Sequence, residues 1–205
     1  GNSMVVPSNT SFDITDQLSF AAWVRPTTAK LQVIASRERQ YNVALTADGR
    51  LSVNLYRSSM SWNNTENSYA NSVLFNVFST AGVLTFSGVN PLWVPVSGVG
   101  SVPQNTWTHV AFVFNNEGPR ATLRSYINGV LATTFTASGT NLNVQNYNIN
   151  IGSSDVGGAG NFKFNGQIDE ILFYRRNLTD GQITDIFNRG AQLITDPSAT
   201  HAGSI

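Results

Sequence analysis

The sequence predicts an all-β fold, an antiparallel sandwich or barrel with one short helix near its C-terminus. Most apolar stretches are short and rich in Val, Ile, Phe and Tyr, residues that suit a pleated, half-buried surface. They are separated by Asn-Gly, Asp-Gly and Ser-Gly pairs, which tolerate the positive φ of tight turns. One segment close to the end repeats its apolar residues at helical spacing. Turn signals spaced about 8 to 12 residues apart imply roughly ten to fourteen strands.

The first clear strand is "SFAAWVRP", in which Phe20, Ala22 and Val24 share one face and Ala21, Trp23 and Arg25 the other, until Pro26 ends pairing. "YNVALTADGRLSVNLY" is a hairpin turning at Asp48-Gly49, and "TLRSYINGVLATTF" is another turning at Asn128-Gly129. "WTHVAFVFN" supplies a long strand between them. In "NLTDGQITDIFNRG", Thr179 is an N-cap with Gln182 three residues on, a capping box. The helix then runs from about Asp180 to Arg189, with Ile183, Ile186 and Phe187 on one face and Gly190 just past its end. Residues 191–205 read as a polar tail that includes His201. Between Arg57 and Gln104 order weakens: a polar loop, a hairpin in "VLFNVFSTAGVLTFSG", and an irregular stretch too long for an ordinary connection.

With 205 residues the chain is long enough for one large β domain with a sizeable core. Only 12% of residues are charged, against about 25% in typical globular domains, and Ser, Thr and Asn fill the gap. Net charge is zero and the cations are scattered, which argues against nucleic acid or an anionic membrane as partner. No run approaches the roughly 20 apolar residues of a membrane helix, and no signal peptide is visible at the N-terminus. Without Cys there are neither disulfides nor thiolate metal sites, as expected of a bacterial extracellular module that needs no redox help.

Several stretches together carry a family resemblance: "SFDITDQLSFAAWVRP", "VIASR" before "YNVALTADGRLSVNL", "NTWTHVAFVFN", "SYINGVLATT", "INIGSS" and "FNGQIDEILFYRRNLTDGQITDIFNRG". In this order they resemble the laminin G-like, concanavalin A-like domains of secreted bacterial proteins. The resemblance implies a two-sheet antiparallel jelly roll over residues 1–190, with a long insertion at about 58–104 and a tail at 191–205. It implies an extracellular or cell-surface module of a larger protein that binds a glycan or another protein, often with calcium. Two departures stand out. The acidic Phe-Asp-Gly-like opening of the family is replaced by "GNSMVV", and the insertion is far longer than the usual link.

The adjacent acids Asp169 and Glu170, in an apolar run, are the first candidate site. A glycosidase needs two carboxylates about 5 to 9.5 Å apart on one sugar, whereas adjacent strand residues point to opposite faces. Strict alternation puts Gln167, Asp169, Ile171 and Phe173 on one face and Ile168, Glu170, Leu172 and Tyr174 on the other. No catalytic constellation follows, so the domain is expected not to be an enzyme. A carboxylate shielded from water needs a cation or several hydrogen bonds. The resemblance implies a structural calcium at Asp169, joined by oxygens around Asn2; the alternative is a salt bridge to Arg25 or Arg37. His109 reads as a core or sheet-face residue. The resemblance puts Trp23 and Trp107 at core positions. Trp62 and Trp93 lie in the insertion beside Asn63, Asn64, Tyr69 and Asn90. An aromatic face stacks on a sugar ring while amides bond its hydroxyls, so Trp62, Asn63, Tyr69 and Trp93 are the expected glycan contacts. The rival reading is a structural or adhesive domain whose insertion meets another protein.

Overall fold

The computed structural model describes side chains for residues 2–56, 100–136, 141–144, 146–154 and 162–192. It describes backbone alone for the strands between residues 61 and 95 and for residues 137–138 and 193–195. Within these residues the chain runs β1 (Met4–Val6), a 3-10 turn (Thr10–Phe12), β2 (Gln17–Pro26), β3 (Gln32–Arg37), β4 (Tyr41–Leu45) and β5 (Leu51–Tyr56). It continues with β6 (Ser61–Asn63), β7 (Ser68–Ala70), β8 (Val73–Phe78), β9 (Gly82–Ser87) and β10 (Asn90–Pro95). Then follow β11 (Thr108–Asn116), β12 (Arg120–Ile127), β13 (Val130–Ser138), β14 (Ile149–Ile151), β15 (Gly166–Tyr174) and the helix α1 (Asp180–Thr195). Fifteen strands slightly exceed the expected range, because the insertion itself is largely paired.

The strands form two antiparallel sheets face to face, a sandwich consistent with a jelly roll. The front sheet has six strands in the order β1-β14-β3-β4-β5-β8, and the back sheet five in the order β13-β12-β11-β2-β15. The hairpins β6–β7 and β9–β10 pair only within themselves. The alternation read from "SFAAWVRP" holds. Phe20, Ala22 and Val24 enter the core with Phe112, Phe114 and Leu123, facing Ile34, Val43, Val53 and Leu55 of the front sheet. Burial of each large aliphatic or aromatic side chain stabilises by about 1.5–3 kcal/mol. Both turns form as expected, Asn128 and Gly129 with φ of 50° and 75°.

The outer face of the back sheet is apolar too, and α1 covers it. Ala21, Ala111, Val113 and Tyr126 pack with Leu178 and Ile183. Phe187 stacks on Trp23 with ring centroids 5.5 Å apart. The capping box is present: Thr179 N–H donates to Gln182 Oε1 at 3.0 Å, and Gln182 N–H to Thr179 Oγ1 at 3.2 Å. Tyr126 Oη–H donates to Asp180 Oδ1 at 2.7 Å, and Arg124 pairs with the same carboxylate, so the first turn is bolted to β12.

The helix end differs from expectation. α1 does not stop at Arg189; it runs to Thr195 with Gly190 inside it, and the residues from 196 on lie outside the described residues. The reason is packing, since a Cβ at Gly190 would stand 2.1 Å from Trp23 Nε1. Gly190→Ala would gain about 1 kcal/mol of helix propensity but overpack a pinned indole, which typically costs about 1–3 kcal/mol. We expect a lower melting temperature; an unchanged or raised one would show that Trp23 swings aside freely.

The strand of the acid pair also departs from simple alternation. β15 pairs with β2 as Asp169↔Trp23 and then Leu172↔Ala21, so Glu170 and Ile171 together oppose one residue. This is a β-bulge, with Glu170 at φ 48°. Beyond it the faces exchange: Ile168, Ile171 and Phe173 pack on the core, while Leu172 and Tyr174 join the helix side. The expected grouping of Asp169 with Ile171 and Phe173 is therefore wrong.

Candidate functional site

The two ends of the sandwich are built differently. One end is closed by Arg37, the last residue of β3 and only 1% exposed. Its Nε–H donates to Tyr147 O at 3.0 Å, and Nη1 donates to Phe12 O at 2.6 Å and Gln40 Oε1 at 2.9 Å. Nη2 reaches Asp13 Oδ1 at 2.7 Å and Ser8 Oγ at 3.5 Å. A planar fork of five N–H donors is thus shared among three segments far apart in sequence. Gln40 Nε2–H completes the seal by donating to Ile14 O at 2.7 Å.

The opposite end is open. A cleft of about 290 Å³ lies between the β2–β3 loop, the β4–β5 turn and the segment preceding β11. Its walls are tied together by backbone: Val102 N–H donates to Gly49 O at 2.7 Å and Asn105 N–H to Pro26 O at 2.7 Å. Gly49 is required at this crossing, because a Cβ there would sit 2.7 Å from Val102 O. Gln32 Nε2–H holds Thr28 O at 2.9 Å. Thr28 Oγ1, also lining the cleft, is buried without a hydrogen-bond partner. Among the described residues Asp48 is the one charged group in the lining. Burial opposes its ionisation, but hydrogen bonds from Thr46 and Arg50 and the Arg50 charge outweigh it and hold the carboxyl below its ordinary pKa.

A third feature lies on the outer face of the front sheet. Asn150, Ser36, Asn42, Asn54 and Asn76 occupy one row, in register across five strands. Their neighbours Val43, Val53 and Leu55 point into the core, so the row leaves the sheet on the other side. Ser36 Oγ–H donates to Ser153 O at 3.1 Å. Asn42 and Asn54 are half-buried, and their amides take part in no hydrogen bond among the described residues.

The expected glycan contacts fall on two hairpins. Trp62, Asn63 and Tyr69 stand on the β6–β7 hairpin, where Trp62 pairs with Tyr69. This hairpin leaves from Tyr56 and returns at Val73, which are partners at the Arg37 end. Trp93 stands on β10, whose hairpin follows Phe78, opposite Ser52, at the cleft end. The side chains of all four lie outside the described residues, as do Asn64 and His201.

Asp169, 9% exposed, accepts a hydrogen bond from Glu170 N–H at 2.8 Å, the amide the bulge withdraws from the ladder. It lies across from Trp23, on the helix side. Asn2 approaches from elsewhere: its carbonyl oxygen sits 3.3 Å from the Cβ position of Gly152, beside Ile168, on the core side of β15. Among the described residues no group of three or more His, Cys, Asp or Glu could hold a metal. Calcium takes six to eight oxygens. Among the described residues, the Asp169 carboxylate and the Asn2 carbonyl stand on opposite sides of β15. Of the candidate ion-pair partners, Arg25 donates to Asn105 O and Gln167 Oε1, while Arg37 is engaged as above.

His109 continues the row Asp169–Trp23 onto β11. It is 1% exposed, edge-on to Trp23 with centroids 5.5 Å apart, and neither ring nitrogen has a hydrogen-bond partner. Burial pushes its pKa from 6.5 down to about 4, so it is neutral and apolar in role. Trp23 is likewise buried, whereas Trp107 is only half-buried and immediately precedes β11. No described helix is long and apolar enough to cross a membrane.

Comparison with solved structures returns the same sandwich. The binding domain of Paraclostridial Mosquitocidal Protein 1 superposes with a TM-score of 0.58 at 16% identity, over 92% of this chain. The chain spans only 41% of that domain's length. The CBM40 of Ruminococcus gnavus IT-sialidase, solved with α2,3-sialyllactose, has a TM-score of 0.58 at 13% identity, covering 91% of this chain and 97% of the module. The same module has been solved with α2,6-sialyllactose. At these identities the likeness is one of fold. No curated protein matches the chain by sequence. The model of the laminin G-like family described as the concanavalin A-like lectin/glucanases superfamily matches residues 1–184. The chain belongs to that superfamily.

Proposed function

We propose that the chain is a non-catalytic carbohydrate-binding module of a larger secreted or surface protein. The observation that carries this reading is the polar row on the front sheet, where Asn42 and Asn54 lie side by side in register, their amides without a hydrogen bond among the described residues. Sugars present rows of hydroxyls that both donate and accept, and a primary amide does the same. Family membership and the sialyllactose-binding CBM40 of similar fold support it. Hydrolysis is disfavoured because, among the described residues, the cleft offers one carboxylate, Asp48, where a glycosidase needs two. Asp169 serves its own bulge instead.

A glycan array with the purified chain is the test, run with calcium and with excess chelator. Binding is expected, and Asn54→Ala should weaken it. Trp93→Ala and Trp62→Ala, on the two hairpins of the insertion, should each weaken it while scarcely changing stability. No reducing sugar should be released from any bound polysaccharide. Silence on the array together with concentration-dependent self-association in sedimentation would replace this reading by the adhesive one. If calcium is held at Asp169, the chelator also lowers the melting temperature. An unchanged curve leaves Asp169 as the cap of its bulge.

A further inference from the structure

We propose that the cleft between Thr28, Asp48 and Gln104 is a subsite for a single uncharged sugar unit, and that it rejects sialylated and other anionic glycans. The inference rests on the carbohydrate-binding reading and gives it a place and a substrate class.

Size and rigidity come first. About 290 Å³ lies at the low end of the roughly 300–1,000 Å³ of small-molecule sites, which suits a terminal ring and not a run of several. The cleft is preformed: each wall is held by the backbone bonds of Val102 and Asn105 and by the Gln32 amide, so little ordering is left for binding to oppose. Chemistry comes next. Thr28 lines the cleft and its Oγ1 is buried without a partner, so a χ1 rotation that brings the hydroxyl to a ligand forfeits no existing hydrogen bond. Asp48 is 57% exposed and is fixed by Thr46 Oγ1 and by Arg50 Nε at 2.6 Å. A carboxylate has about four lone-pair sites, so it retains acceptors for a pair of vicinal hydroxyls.

Charge then selects. Among the described residues the lining contains Asp48 and no cation, and Arg50, which pairs with that carboxylate, lies outside the lining. Arg50 partly offsets the charge, but a ligand carboxylate entering the cleft would meet the Asp48 oxygens with no described lining cation to bind it. A neutral sugar meets only acceptors and hydroxyls. The specificity expected is thus opposite to that of a module that takes sialyllactose.

The test is titration calorimetry of the purified chain, using the methyl glycosides of the neutral sugars that score on an array and sialyllactose as the anionic probe. Thr28→Val keeps the shape and removes the hydroxyl; Asp48→Asn keeps the size and removes the charge. Each should weaken neutral monosaccharide binding about tenfold or more. Asp48→Asn should also narrow the gap between neutral and sialylated ligands. Neutral binding that survives both cleft variants but is lost in Asn54→Ala overturns the cleft and leaves the carbohydrate-binding reading standing. Binding of sialyllactose in preference to every neutral glycan overturns the charge argument. Array silence ends both readings. Melting curves of the two cleft variants, expected within a few degrees of the parent, separate lost binding from lost folding.

Discussion

Arg37→Met is expected to lower the stability of the domain by about 3–5 kcal/mol, the range for removing one partner of a buried, hydrogen-bonded ion pair. In a domain of this size that shifts the melting temperature by on the order of 10 °C. The reasoning turns on what is left behind. Asp13, 35% exposed, regains water when its partner goes. Gln40, fully buried, and the carbonyls of Phe12 and Tyr147 lose donors with nothing in place of them. Arg37→Lys is expected to be nearly as damaging, because three donors on a point charge cannot reproduce a five-donor plane. Denaturant unfolding of both variants checks this. A loss below about 1 kcal/mol would mean that water enters that end and supplies the missing bonds.

The second large effect is a pH dependence that sits on His109. Its folded pKa, about 4, is depressed below the 6.5 of an unfolded chain. The group therefore contributes stability that is fully present above about pH 6.5 and is lost as pH falls towards 4. Over that window the unfolded state binds a proton that the native state refuses. A separation of some 2.5 units corresponds to about 3 kcal/mol at the acid end. Exposure of 1% leaves little solvent screening to discount. His109→Phe preserves an aromatic ring between Trp23 and Phe187 and cannot titrate. The stability difference between parent and variant should be level above pH 7 and fall through the window. A difference that stays constant from pH 8 to pH 4 would show that protonated His109 finds a partner in the native state.

What the sequence disclosed and what it withheld divide along a physical line. Thr179 with Gln182, Asp48-Gly49, Asn128-Gly129 and the alternation of Phe20 through Val24 were legible, because each is a local requirement met by residues close in sequence. The bulge at Glu170 was not, since one extra residue in a strand leaves no mark on composition and yet exchanges the faces beyond it. Gly190 was misread for a similar reason: a glycine that ends a helix and a glycine that admits an indole are the same letter. Arg37 and the cleft depend on segments far apart in sequence. Arg37 draws on acceptors from Ser8 to Tyr147, and the cleft on loops from Pro26 to Gln104. Only the fold brings them together. The family resemblance supplied the architecture but pointed to the insertion for the ligand, whereas the structure adds a cleft built from the sandwich's own loops.

The bulge in β15 has a consequence beyond the direction of its side chains. β15 is the outermost strand of the back sheet, and such a strand offers a line of unpaired amides and carbonyls that could template a strand from another molecule. At Asp169 and Glu170 that line is broken: the backbone kinks, one amide is turned onto the Asp169 carboxylate, and two negative charges stand in sequence. A second chain laid along this border would lose register at the kink and would meet the Glu170 charge. A kinked, charged edge of this kind is a poor template for a further strand.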